Sequence, residues 1–147
     1  EPALHSLITL FRRHQKSIFV LGRVPRSRIH EYGVVAVERR IAPSLYSLRA
    51  VLEKPKADEA RNLRDASNLA IIGAYVLTPK IVHHLMSAAR VAPPISDALP
   101  LTAAFHRELA LGGALYGWEF PGTRIDCGTL EGLKKAHVFL GEQSLKN

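Results

Sequence analysis

The chain has 147 residues, 47% of them hydrophobic and 22% charged, which is the composition of a single globular domain and not of a disordered chain. No apolar run reaches the roughly 20 residues of a membrane span, and the start is not typical of a signal peptide, so we expect a cytoplasmic protein without membrane contact. The single cysteine, Cys127, excludes an intrachain disulfide.

The net charge of +7 is unevenly distributed along the chain. Before residue 57 there are 11 Lys and Arg against four Asp and Glu, whereas the remainder is balanced. Such a skew favours an anionic partner: a nucleotide, a phosphorylated small molecule or RNA. No aromatic residues are interleaved with these arginines, as a platform for single-stranded nucleic acid would need. A solvated basic surface is an equally good interpretation.

The first half of the chain predicts one helix followed by strands. Leu4, Leu7, Ile8 and Phe11 recur at helical spacing and predict an amphipathic helix over 2–14. Three short segments rich in β-formers predict strands, the last two of them forming a hairpin: 17–24, 32–37 and 45–52. The polar segment 56–65 predicts a short helix or a loop. The continuous apolar run 69–77 predicts a strand buried on both faces.

The second half alternates helices with one strand. Thr78 and Pro79 predict the start of a helix whose Ile81, Val82 and Leu85 face the core. Three further elements are predicted in this half: a helix capped by Ser96 or Asp97 and ending near Leu109, a strand over 114–120, and a helix from Thr129 to Leu140. This alternation predicts an α/β fold with a mixed, mainly parallel sheet and flanking helices.

The pair Glu53-Lys54 stands where a predicted strand stops at Pro55. In open α/β sheets ligands bind beyond the carboxyl ends of strands. A carboxylate there can accept hydrogen bonds from the vicinal hydroxyls of a sugar, and an adjacent ammonium suits a phosphate. Taken alone, the pair is better explained as a strand end in solvent. Gly33 either allows close backbone approach to a ligand or forms a bulge.

Asp126 is the second candidate, because it precedes a predicted helix at the end of another strand. One carboxylate can contribute to a Mg²⁺ site, since magnesium keeps waters and takes phosphate oxygens as ligands. Aspartates at helix starts are also common without any metal. His83 and His84 are adjacent and about 100° apart on a helix, so they are not expected to share a metal. Cys127 is expected to be a buried thiol without a catalytic role.

Four motifs in order carry a family resemblance: "YGVV", "VLEKPKADEA", "SNLAIIGAYVLTPKI" and "RIDCGTLEGLKKA". Together they resemble the C-terminal half of bacterial UTP–glucose-1-phosphate uridylyltransferases, which are sugar-phosphate nucleotidylyltransferases. The resemblance implies a Rossmann-like nucleotidyltransferase fold that is incomplete at its N-terminus, with residues 1–147 as its sugar-binding part. It also implies Mg²⁺ as cofactor, UTP, glucose 1-phosphate and UDP-glucose as ligands, and a homo-oligomer.

The resemblance assigns roles to five residues. Gly33 would approach the sugar with its backbone, Glu53 would hold glucose hydroxyls, and Asn68 would shape the sugar pocket. Lys54 would bind the phosphate and act in catalysis, and Asp126 would ligate magnesium.

Two departures from the family pattern limit the resemblance. The family's "GxGTR" phosphate loop and a second metal-binding aspartate are not in this chain, so we expect it to be inactive without the missing N-terminal half. Ala98, Pro100 and Ala103 stand where the family has Glu, Gln and Asp. The alternative function is a non-catalytic module that binds a sugar nucleotide or contacts RNA.

Overall fold

The structure, a computed structural model, describes residues 3–56, 68–91 and 101–144. Its elements in chain order are α1 (Ala3–His14), β1 (Ser17–Arg23), a 3-10 helix (Arg26–Glu31), β2 (Gly33–Ala42), β3 (Leu45–Glu53), β4 (Leu69–Val76), α2 (Pro79–Val91), α3 (Leu101–Ala110), β5 (Leu115–Glu119) and α4 (Leu130–Ser144). The helices and strands that the sequence predicts within these ranges are therefore confirmed. The 3-10 helix was not predicted. All of the polar segment 56–65 except residue 56 lies outside the described residues. The predicted caps Ser96 and Asp97 also lie outside them.

The five strands form a closed barrel in the order β1-β4-β2-β3-β5, with β5 returning to β1. Only the β1–β5 pair is parallel, and every other pairing among the described strands is antiparallel. The mixed sheet with helices is confirmed, but the prediction of a mainly parallel sheet is wrong. The sheet is mainly antiparallel because β2 and β3 form a hairpin and because β4 runs antiparallel to both of its neighbours, β1 and β2.

The barrel is weakly closed between β2 and β4. These strands meet at a single register pair, Val34 with Ala70, whereas β4 pairs with β1 along its length. Beyond Ala70, the described strands give β4 no partner on the β2 side. Gly73 and Tyr75 are exposed, so the prediction that 69–77 is buried on both faces is wrong. An apolar run without alternation does not distinguish a central strand from one that borders a cavity.

The core lies between the barrel and the helices α2 and α3. Phe19, Leu21 and Val35 from the strands pack with Ile81 of α2 and Phe105 of α3 in one buried cluster. Ile81 therefore faces the core as predicted, and Leu85 packs at its border. Val82 was also predicted to face the core, but it is exposed, because it follows Ile81 by one residue and so points about 100° away.

The helices α2 and α3 are joined by a buried hydrogen bond between side chains. His84 Nε2 lies 2.8 Å from Glu108 Oε2, and the two side chains are 10% and 11% exposed. On the other side of the barrel, α1 buries Leu7 against Ile18 and Val20 of β1. No helix in the described ranges is both long and apolar enough to cross a membrane.

Candidate functional site

A cavity of about 390 Å³ opens where β4 leaves β2. Its size falls in the range of about 300–1,000 Å³ that is usual for small-molecule sites. Nine residues from the strands and α3 line it: Phe19, Gly33, Glu53, Ile71, Gly73, Tyr75, Leu101, Thr102 and Phe105. Among the described residues the lining is mostly apolar, with the carboxylate of Glu53 as its one charged group. Two of the five residues with predicted roles, Gly33 and Glu53, are therefore brought together in one cavity.

Gly33 and Glu53 face each other across the hairpin, at the first residue of β2 and the last of β3. A Cβ atom at position 33 would lie 3.3 Å from Glu53 Oε2, which is closer than most real contacts of this kind. The glycine therefore leaves room for the carboxylate beside the backbone of β2. Within the described residues, Glu53 forms neither an ion pair nor a hydrogen bond through its side chain. Its oxygens are thus available to a ligand.

Lys54 turns the chain sharply after β3. Its φ is +43°, in the left-handed region that residues other than glycine rarely adopt. Its backbone N–H donates to the carbonyl oxygen of Tyr32 over 3.1 Å, and Pro55 behind it is buried. Pro55 disfavours right-handed helical geometry at the residue before it, and the positive φ of Lys54 lies outside that geometry. Lys54 is exposed and does not line the cavity, so it stands at the cavity's edge next to Glu53.

Asp126 is held in a loop that precedes α4. Its Oδ1 accepts from the backbone N–H of Gly128 and its Oδ2 from Arg124 Nη2, both over 3.0 Å. Thr129 caps α4, since its Oγ1 accepts from the N–H of Gly132 over 3.1 Å. A side chain at Gly132 would overlap the carbonyl oxygen of Asp126, so the helix can approach the loop only because this residue is glycine.

Tyr32 connects the Asp126 loop to the end of β3. The Arg124 guanidinium lies over the Tyr32 ring, 5.2 Å from its centre, while Arg124 also pairs with Asp126. The carbonyl of the same tyrosine accepts from Lys54 N. The structure thus places the loop of Asp126 and the pair Glu53-Lys54 around one residue. Tyr32 opens the motif "YGVV", but no role was predicted for it, because its partner Arg124 lies 92 residues away.

Asn68 lies near this region but not in the cavity lining. Its carbonyl accepts from the N–H of Val24 over 2.8 Å, and its Oδ1 accepts from Arg26 Nε over 3.3 Å. It therefore fixes the start of β4 beside the 3-10 helix. Its predicted role in shaping a sugar pocket stays a prediction.

A second cavity of about 480 Å³ lies at the carboxyl ends of β1 and β5. There Glu119 accepts from Arg23 Nε over 2.7 Å and from the Tyr46 hydroxyl over 2.8 Å. This hydrogen bond to a carboxylate raises the pKa of Tyr46, so the phenol stays protonated. The arginines that line this cavity, Arg23 and Arg124, are both already paired with carboxylates.

The remaining sequence candidates do not form a site. His84 is paired with Glu108, and the described residues contain no group of three or more His, Cys, Asp or Glu that could hold a metal ion. The prediction of a buried thiol is wrong, because Cys127 lies in the loop before α4 and is exposed.

The mixed sheet, its packed helices and a cavity at strand ends define an α/β domain with a candidate ligand site. The chain belongs to the nucleotidyl transferase family, whose family model matches residues 1–143. This family is the one that the four sequence motifs indicate.

Individual proteins and solved structures that resemble the chain have related names. The chain is 32% identical over 146 residues to a UTP–glucose-1-phosphate uridylyltransferase of Pseudomonas aeruginosa, covering 99% of this chain and 49% of that protein. It superposes on a crystal structure of UDP-glucose pyrophosphorylase complexed with UDP-glucose, with a TM-score of 0.76 and 29% identity, over 95% of this chain and 49% of that one. A UTP-bound enzyme from Acinetobacter baumannii gives a TM-score of 0.72 at 25% identity, over 95% of this chain and 45% of that one. The chain thus spans about half the length of the relatives it matches.

Proposed function

We propose that this chain is the sugar-phosphate-binding segment of a UTP–glucose-1-phosphate uridylyltransferase, which joins UTP and glucose 1-phosphate to UDP-glucose and pyrophosphate. The observation that carries the proposal is the carboxylate of Glu53, which has no partner among the described residues, beside Gly33 in a mostly apolar cavity. An ionised carboxylate only accepts hydrogen bonds, so it selects a ligand that donates them, as sugar hydroxyls do. The similarity to proteins bound to UDP-glucose and to UTP supports the same ligand class.

Lys54 supplies the positive charge that the phosphate of the sugar needs. The left-handed turn at Lys54 separates it from the strand that carries Glu53, so the two neighbours serve two ends of one ligand. Backbone strain of this kind costs about 1–3 kcal/mol and persists at sites where the surrounding structure enforces it. In the reaction, an oxygen of glucose 1-phosphate attacks the α-phosphorus of UTP, and Lys54 stabilises the charge on the sugar phosphate as pyrophosphate leaves.

Asp126 fits a contribution to a magnesium site. Each of its oxygens accepts one hydrogen bond, which leaves lone pairs for a cation, and the side chain is 56% exposed. Magnesium binds proteins through one or two carboxylates together with waters and phosphates. A bound Mg²⁺ would neutralise phosphate charge during transfer. Arg124 and the Gly128 N–H keep the carboxylate oriented toward that position.

In this proposal, the complete activity also requires binding groups that are not part of this chain. UTP would be bound mainly by an N-terminal half of the same fold; the chain matches 49% of the length of the Pseudomonas aeruginosa relative. Association of complete copies into a homo-oligomer is part of the same proposal.

The proposal is tested by glucose 1-phosphate binding to the 147-residue chain, measured by calorimetry or ligand-detected NMR. Removing the charge with Glu53→Gln should weaken binding by about tenfold or more, since each hydrogen bond to a charged group contributes about 1.5–3 kcal/mol. Glu142→Gln, on the exposed side of α4, is the matched control and should bind like the unaltered chain. Equal affinity of Glu53→Gln in a folded protein would show that Glu53 is only a strand end.

A further inference from the structure

The helical part of the cavity wall comes from the first turns of α3, through Leu101, Thr102 and Phe105. Thr102 is only 9% exposed, so its hydroxyl is nearly removed from bulk water. Within the described ranges, the side chain of Thr102 has no hydrogen-bond partner. Buried polar groups are nearly always hydrogen-bonded in native proteins, because an unsatisfied one destabilises the fold. The space that Thr102 borders is the cavity, so a ligand there would supply the missing partner.

The rest of the lining restricts what that ligand can be. Phe19 contacts Phe105 edge-to-face with ring centres 4.6 Å apart, and Tyr75 meets Phe19 in the same manner at 6.4 Å. Tyr75 is 45% exposed, whereas Phe19 and Phe105 are 0% and 2% exposed, so Tyr75 is the aromatic side chain that can accept the C–H groups of a partly apolar ring. A purely apolar ligand would bury the carboxylate of Glu53 without a partner, which is strongly unfavourable. An anionic group in the cavity would be repelled by the same carboxylate.

A pyranose ring satisfies all these groups at once. One of its C–H faces suits the exposed ring of Tyr75, and its peripheral hydroxyls can donate to Glu53 and exchange a hydrogen bond with Thr102. We propose that Thr102 is a specificity-determining residue that binds one ring hydroxyl of the sugar. This inference rests on the proposed function, because it takes the sugar of glucose 1-phosphate as the occupant. It adds a contact from α3, an element to which the sequence motifs assigned no ligand.

The test uses three variants of the 147-residue chain and glucose 1-phosphate as the probe. Thr102→Val replaces the hydroxyl by a methyl group of similar size and should weaken binding by roughly two- to tenfold, the equivalent of one neutral hydrogen bond. Thr102→Ser keeps the hydroxyl and should retain most of the affinity. Thr9→Val, on the exposed side of α1, is the matched control and should change nothing.

Two further readouts separate sugar recognition from a structural role. Monodeoxy analogues of glucose 1-phosphate should each bind more weakly to the unaltered chain than glucose 1-phosphate does. For the analogue that lacks the hydroxyl contacted by Thr102, Thr102→Val should cause no further loss of affinity. The melting temperature of Thr102→Val should be equal to or above that of the unaltered chain, because no internal hydrogen bond is lost. A loss that persists with every analogue, or a clear drop in melting temperature, would overturn the inference.

The failures of the two proposals are distinguishable. If the unaltered chain does not bind glucose 1-phosphate, both proposals fall. If it binds and Glu53→Gln weakens binding while Thr102→Val does not, only the role of Thr102 is refuted.

Discussion

Glu53 and Asp126 are two exposed carboxylates with opposite surroundings. Both oxygens of Asp126 accept hydrogen bonds from its own loop, whereas Glu53 has no partner among the described residues. A carboxylate that is already oriented by hydrogen bonds is well prepared to bind a cation. A carboxylate without such partners can accept hydrogen bonds from the hydroxyl groups of a ligand. The difference is therefore consistent with distinct roles for the two residues, one toward metal and phosphate and the other toward the sugar.

The role of Asp126 is tested with Mn²⁺ as a substitute for Mg²⁺. In the presence of glucose 1-phosphate, we expect Mn²⁺ bound to the chain to enhance water-proton relaxation. Asp126→Asn should lose most of this enhancement, because the neutral amide keeps the shape and can still accept from Gly128 but no longer attracts the cation. Glu142→Gln serves as control. An unchanged enhancement in Asp126→Asn would remove this residue from the metal site.

The elements show which features a sequence determines locally. The hairpin of β2 and β3 was predictable because Pro43 and Ser44 form its two-residue turn between β-rich segments, and the α4 cap at Thr129 follows from local chemistry. The direction and burial of β4 were not predictable, since they depend on strands distant in sequence. The site follows the same rule. Glu53 could be predicted because it ends a strand, whereas the positions of Thr102 and Tyr32 at the site depend on contacts with residues distant in sequence.

The buried hydrogen bond between His84 and Glu108 is predicted to hold α2 against α3. Removing one partner leaves the other buried and unsatisfied, which typically costs about 1–3 kcal/mol. Urea unfolding of Glu108→Ala should therefore show a marked loss of stability, and the double change His84→Leu with Glu108→Leu should recover much of it. Glu131→Ala, which breaks the exposed pair with Lys135 on α4, should have little effect. Equal losses in Glu108→Ala and Glu131→Ala would contradict a structural role for the buried pair.

At the scale of the whole molecule, several apolar surfaces face outward. The described strands leave β4 unpaired on one side beyond Ala70, and large apolar residues of α4 are exposed: Leu130, Leu133, Val138 and Leu140. Unpaired strand edges and apolar helix faces are surfaces on which further structure packs. They fit a segment that spans about half the length of its relatives, and they support the expectation that the isolated chain self-associates.

The most direct test of the central claim is UDP-glucose formation from UTP and glucose 1-phosphate with Mg²⁺. The chain is assayed alone and joined to the N-terminal half of the Pseudomonas aeruginosa relative, with that half alone as control. We expect no UDP-glucose or pyrophosphate above a heat-killed sample from either half, because phosphoryl transfer needs groups from both around the reacting phosphates. The joined protein should form both products. Turnover by the chain alone, or none by a folded joined protein, would contradict the account.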